Sequence, residues 1–229
     1  MTSNKPFFFA LEIGKLKWWS PTTGGDPLDF SYVDGGMYDN LGALAVLRRG
    51  CSTLIVCDAT DTNLLETKDE DLPGKMYDVA GLFGVGEPIV PKFLQKKSYT
   101  KTLNERSQVF DSKEFMTLID EMRAKQRAGK PLVVRKKLNL IPNKFAGIYE
   151  SREVDMIFCF NGEVKEFQDR AKIPKSAKID KDFPYADTFN CDYNVGEVNY
   201  LSSICSYNLV EGLKNVNFNI NQVEGGMHP

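Results

Sequence analysis

The residues best suited to chemistry are Asp34-Gly35-Gly36, set between the apolar, aromatic run Phe30-Ser31-Tyr32-Val33 and the segment from Asn40 onward. The spacing puts a carboxylate where a strand stops and a permissive turn begins. Gly35 and Gly36 let the backbone take positive φ and let another group approach closely. In open α/β sheets the carboxyl ends of strands are where ligands collect. Asp before Gly is also a common turn pair, so a plain turn or helix-capping role for Asp34 is the alternative. Asp39 reads as a helix cap. Asp58 closes the next apolar run on the same edge; it reads first as the start of a loop and second as a cleft residue.

A single histidine, His228, stands near the end of the sequence, which speaks against a Ser-His-Asp triad built from these residues. A base in this sequence would then be a carboxylate, and partial burial would raise its pKa toward the working range.

The elements that must position Asp34 are legible nearby. Leu41, Leu44 and Leu47 recur at helical spacing, with Asp39 or Asn40 as N-cap, Arg48 and Arg49 in the last turn and Gly50 as the stop. Thr53 to Asp58 then reads as a strand of a parallel sheet. The whole is a strand–loop–helix–strand unit.

This run, Tyr32-Val33-Asp34-Gly35-Gly36-Met37-Tyr38-Asp39-Asn40-Leu41-Gly42, resembles the Asp-Gly-Gly block of patatin-like phospholipases. The likeness continues through Leu44 to Arg49, Cys51 and Leu54-Ile55-Val56-Cys57-Asp58-Ala59, and returns at Asp182-Phe183-Pro184, Thr188 and Val198 to Leu213. It is dense only from Phe30 to Ala59. It implies a mixed sheet flanked by helices, here an incomplete, C-terminal part of a three-layer α/β domain. It also implies lipid acyl-ester hydrolysis by a Ser–Asp dyad, with Asp34 as base and Gly35 and Gly36 as its turn. The family's Gly-x-Ser-x-Gly elbow occurs nowhere in these 229 residues. The nucleophile would come from another segment or chain. A non-catalytic domain that keeps the fold to bind lipid or a partner is the competing reading, and a purely structural α/β domain is a third.

Length and a hydrophobic content of 42% suit one sizeable core. One partial domain over 1–213 and a polar tail over 214–229 are expected. The net charge of −2 gives no general drive toward nucleic acid. No run approaches the ~20 apolar residues of a membrane span. Five dispersed cysteines without a CxxC pair argue against a disulfide framework or structural zinc. Cys57, Cys159 and Cys205 read as buried, inert thiols, in keeping with a reducing, cytoplasmic or peripheral-membrane setting. No cofactor or metal is expected. The expected partner is a phospholipid or other acyl-ester lipid at a membrane surface. A sheet lacking its first strands would also self-associate through its exposed edge.

Residues 61–106 are broken by glycines and prolines and read as an irregular lid or channel, with Leu82, Phe83 and Val85 as acyl-chain contacts and a packed loop as the alternative. Lys92, Lys96, Lys97, Lys101 and Arg106, with Arg135-Lys136-Lys137, read as a solvated charged face or, more sharply, a headgroup patch. Asp111 to Arg127 is predicted helical, with Phe115, Leu118, Ile119 and Met122 on one face and Asp111 and Glu114 as capping box. Leu132 to Ile141, Phe145 to Tyr149 and Val154 to Phe160 are predicted strands, Asn161-Gly162 a tight turn, and Val198 to Leu213 a last helix.

Overall fold

Alternation along two apolar runs organises the central sheet. The computed structural model describes residues 14–18, 25–32, 39–86, 104–174, 177–180, 183–185 and 192–219. It divides into two compact units, 1–40 and 41–229. In the first, β1 (Gly14–Trp18) pairs antiparallel with β2 (Leu28–Tyr32), Gly14 opposite Tyr32.

The second unit holds a three-stranded mixed sheet of order β3-β5-β4. Strand β3 (Thr53–Asp58) runs parallel to β5 (Glu153–Phe160), and β4 (Val133–Asn139) runs antiparallel to β5. Among the described residues no strand pairs with the other side of β3. Because successive strand side chains point to opposite faces, Val56, Met156 and Phe158 fill one core and Ile157, Cys159 and Val133 another.

The first core lies beneath α1 (Ala43–Leu47), α2 (Leu72–Lys75), α3 (Tyr77–Leu82) and α4 (Lys113–Arg127). The predicted face of α4 is the buried one: Phe115, Leu118, Ile119 and Met122 all enter this core. A short α5 (Lys165–Arg170) follows β5 and buries none of its residues. On the opposite sheet face lies α6 (Val195–Asn215), whose Leu209 and Leu213 pack on Val133 and Ile157. Gly212 lets that helix approach β4, since a Cβ there would collide with Val133 Cγ2. Helices thus flank both faces of a mixed sheet.

Several local expectations change. Residues 72–82 form two short helices rather than an irregular loop, because Leu72, Met76, Val79, Ala80 and Leu82 recur at helical spacing and are buried. The N-cap of α1 is Gly42, at φ 65°, rather than Asp39 or Asn40. Gly50 does end that segment, at φ 86°. Arg152 donates to the carbonyls of Leu47 and Cys51, both at 2.7 Å, tying the end of α1 to the start of β5.

The segment Phe145 to Tyr149 is a turn bounded by an Asn143–Ile148 bridge, not a strand. Asn143 Oδ1 accepts the Phe145 and Ala146 N–H groups and so favours the turn. Asn161-Gly162 belongs to the connection from β5 to α5 rather than to a hairpin. Helix α6 begins three residues earlier than predicted, because Asn194 and Glu197 form a full capping box. At α4 the N-cap is Ser112 without a side-chain cap bond, while Asp111 Oδ1 accepts the Lys113 N–H at 3.1 Å.

Candidate functional site

The parallel strands β3 and β5 end side by side at Asp58 and Phe160. Beyond them run the 59–62 and 161–164 connections, held together where the Asn161 N–H donates to the Asp58 carbonyl at 3.0 Å. This is the kind of edge at which α/β sheets place chemistry.

Alternation turns Asp58 to the same face as Val56, under the first core. Its exposure is 8%, and its Oδ2 has no hydrogen-bond partner. Burial pushes the Asp58 carboxyl up to about 7. The negative charge of Asp78 on α3 adds to the rise, the Thr60 backbone N–H bond opposes it, and Asp61 adds a smaller push. The neighbouring loop is self-braced: Thr60 Oγ1 donates to Thr62 Oγ1 at 2.8 Å and accepts the Thr62 N–H at 3.2 Å. A buried carboxyl with its pKa near neutrality can both give and take a proton at physiological pH.

The other face of the same strand end carries thiols. Cys57 and Cys159 are register partners on adjacent parallel strands. Cys205 of α6 donates through Sγ to Asn161 Oδ1 at 3.6 Å. Cys159 is buried, as expected, but Cys57 and Cys205 are exposed. The expectation of three buried, inert thiols is therefore corrected. The reason lies in position: Cys57 stands near the end of the outer strand of the described sheet, and Cys205 has exposed neighbours in Ser203 and Ser206. Among the described residues no group of three or more His, Cys, Asp or Glu could hold a metal ion.

Asp34, Gly35 and Gly36 lie outside the described residues, as do Lys92, Lys96, Lys97, Lys101, Asp182, Thr188 and His228. The flanking elements do occur in the predicted order, with β2 ending at Tyr32 before the motif and α1 and β3 after it. Leu82 and Phe83 are buried in the first core, where the Phe83 ring lies 5.5 Å from Phe110, 6.0 Å from Phe115 and 6.2 Å from Phe158. Val85 packs, partly buried, against the same core. This is the packed alternative, and an acyl chain would reach Leu82 or Phe83 only if that core opened.

The Arg135-Lys136-Lys137 run is neutralised within the fold. Arg135 pairs with Asp155 at 2.6 Å, Lys136 with Glu121 at 2.7 Å and Lys137 with Glu153 at 3.0 Å. No helix among the described residues is long and apolar enough to cross a membrane.

No family model, no curated protein and no solved structure matches the chain.

Proposed function

We propose that this chain is the Asp-bearing part of a patatin-type lipid acyl hydrolase. Asp34 is the general base, and the attacking serine is supplied from outside these residues. The observation that carries the reading is the dense likeness from Phe30 to Ala59, which runs through a strand end, the Asp-Gly-Gly stretch, a helix and a second strand in the order the chemistry needs.

A serine hydroxyl is a poor nucleophile until a neighbour accepts its proton. With the only histidine at position 228, a carboxylate is the base this sequence offers. Asp34 takes the serine proton as Oγ attacks the ester carbonyl, then returns it to the departing alcohol or lysolipid. The acyl-serine is hydrolysed by a water that Asp34 deprotonates in turn. Oxyanion donors for the tetrahedral intermediate belong with the serine segment, since no corresponding glycine-rich stretch can be assigned here. The substrate is a phospholipid or other acyl ester presented at a membrane surface. Asp58 is a second acid in this reading and not the base.

The missing Gly-x-Ser-x-Gly elbow favours a second reading, a fold kept for binding lipid or a partner without turnover. The two separate on one experiment. The 229-residue chain and the complete product of its gene are assayed for fatty-acid release from phosphatidylcholine vesicles. Release by a gene product carrying an elbow serine, and none by the chain alone, supports the hydrolase. Vesicle binding without release by either supports the binding domain.

A further inference from the structure

We propose that Cys57 and Cys159 form a peroxide-responsive dithiol that closes to a disulfide across the parallel strand pair β3–β5. Cys57 is the thiol that attacks the peroxide and Cys159 the one that resolves it. The site is separate from the ester chemistry above and does not depend on it.

The geometry is set by register. Cys57 and Cys159 are directly paired residues on adjacent strands, and neighbouring strands lie about 4.8 Å apart. That falls within the Cα separation a disulfide spans, about 4.4–6.8 Å, and the side-by-side Cβ atoms must draw in from about the strand spacing to roughly 3.5–4.5 Å as the bond closes. Both side chains point to the α6 face of the sheet, where Cys159 packs with Ile157 and Val133. Cys57 is exposed, so oxidant reaches it, whereas Cys159 is buried behind it.

The two thiols also differ in acidity. A hydrogen bond from the Cys159 thiol holds Cys57 down to about 7, against a smaller opposing effect of burial. The same bond, then burial, pushes the Cys159 thiol up. Only the thiolate is an effective nucleophile, so Cys57 reacts first. Asn208 steadies the second thiol: its Nδ2 lies 3.9 Å from Cys159 Sγ and donates to the Phe160 carbonyl at 2.6 Å. Cys205 is engaged with Asn161 and is raised by burial and by the charge on Cys57.

The chemistry balances with a hydroperoxide as oxidant. The Cys57 thiolate attacks one peroxide oxygen and the O–O bond breaks. Cys57 becomes a sulfenic acid, and the departing oxygen takes a proton to leave as alcohol or water. With the Cys57 thiolate converted, its hydrogen bond with Cys159, the largest effect raising that thiol, is lost, while burial still acts on it. Cys159 sulfur attacks Cys57 sulfur, the S–S bond forms, the S–O bond breaks, and the hydroxide leaves with the Cys159 proton as water. Two sulfurs together lose two electrons and one peroxide gains them.

The test treats the intact chain with hydrogen peroxide, blocks remaining thiols with N-ethylmaleimide and maps peptides without reduction. The expected result is a Cys57–Cys159 linked peptide, an intact mass lower by two hydrogens before blocking, and reversal by dithiothreitol. The Cys159→Ser chain should stop at a Cys57 sulfenic acid that dimedone captures. In the Cys57→Ser chain Cys159 should stay reduced. The pH dependence of iodoacetamide alkylation at Cys57 should have its midpoint at about 7. A link from Cys57 to Cys205 instead, equal oxidation of Cys159 with and without Cys57, or an alkylation midpoint above the ordinary thiol value of about 8.5 would each overturn the proposal.

Discussion

The carboxyl of Asp58, at the end of β3, lies within electrostatic reach of Asp78 on α3, and the charge on Asp78 opposes the ionisation of Asp58. Burial alone would raise Asp58; the second acid raises it further. An arrangement of this kind weakens the fold at neutral pH and holds a titrating group at the carboxyl end of the parallel strand pair.

That coupling gives a pH signature. The folded-state pKa of Asp58, about 7, lies above its ordinary value of 3.8. The folded state therefore binds the proton more tightly than the unfolded chain between those two values. Stability from this group is highest below about pH 4, falls through the window and levels off above pH 7. Asp58→Asn removes the slope, and its Oδ1 can keep the Thr60 N–H bond. Its stability relative to the parent should improve by roughly 2–4 kcal/mol between pH 4 and pH 8. Urea denaturation across that range checks it, and parallel pH profiles for the two proteins would refute it.

Arg123 anchors the 63–69 segment to α4. Its Nε donates to the Leu64 carbonyl at 2.9 Å, Nη2 to the Thr67 carbonyl at 2.8 Å and Nη1 to Asp69 at 2.6 Å. The fork geometry is specific to a guanidinium. Arg123→Ala should lose roughly 2–4 kcal/mol and expose residues 63–69 to proteolysis. Arg123→Lys should recover less than half of that loss, because an ammonium cannot serve the three acceptors in this geometry. Denaturation midpoints read the first effect and limited proteolysis the second.

Asn208 joins α6 to the end of β5 and to Leu132, the residue before β4. Its Oδ1 accepts the Leu132 N–H at 2.5 Å and its Nδ2 donates to the Phe160 carbonyl at 2.6 Å, with 2% exposure. Asn208→Leu leaves two buried backbone groups unpartnered and should cost roughly 2–4 kcal/mol. Amide exchange should then speed up at Leu132 more than at Val134, whose ladder position remains. Unchanged protection at Leu132 would show that the bond does not hold.

Legibility in the sequence follows the range of the interaction. Helix α4 is readable because Phe115, Leu118, Ile119 and Met122 repeat within one segment, and β3 and β5 because their apolar runs are continuous. The start of α6 is written in the Asn194–Glu197 spacing, but an apolar face drawn from Val198 hides it. Residues 72–82 read as a loop because Pro73 and Gly74 look like breakers, yet Pro73 sits in a first helical turn, where proline is tolerated. The Cys57–Cys159 juxtaposition has no local signal. Register between strands far apart in the chain is fixed by packing of whole faces. Asp58 reads as a loop residue for the same reason: its burial and the nearness of Asp78 are tertiary facts.

If Asp34 takes the proton of an acyl-accepting serine, removing its carboxylate must slow ester cleavage far more than removing that of Asp58. The decisive quantity is kcat/KM for phospholipid hydrolysis by the complete gene product, compared among parent, Asp34→Asn and Asp58→Asn. Loss of a positioned general base lowers rate by about 10²–10⁴-fold, so Asp34→Asn should fall in that range while Asp58→Asn stays within about tenfold of the parent. Turnover in Asp34→Asn equal to the parent's, or a loss confined to Asp58→Asn, would contradict the assignment.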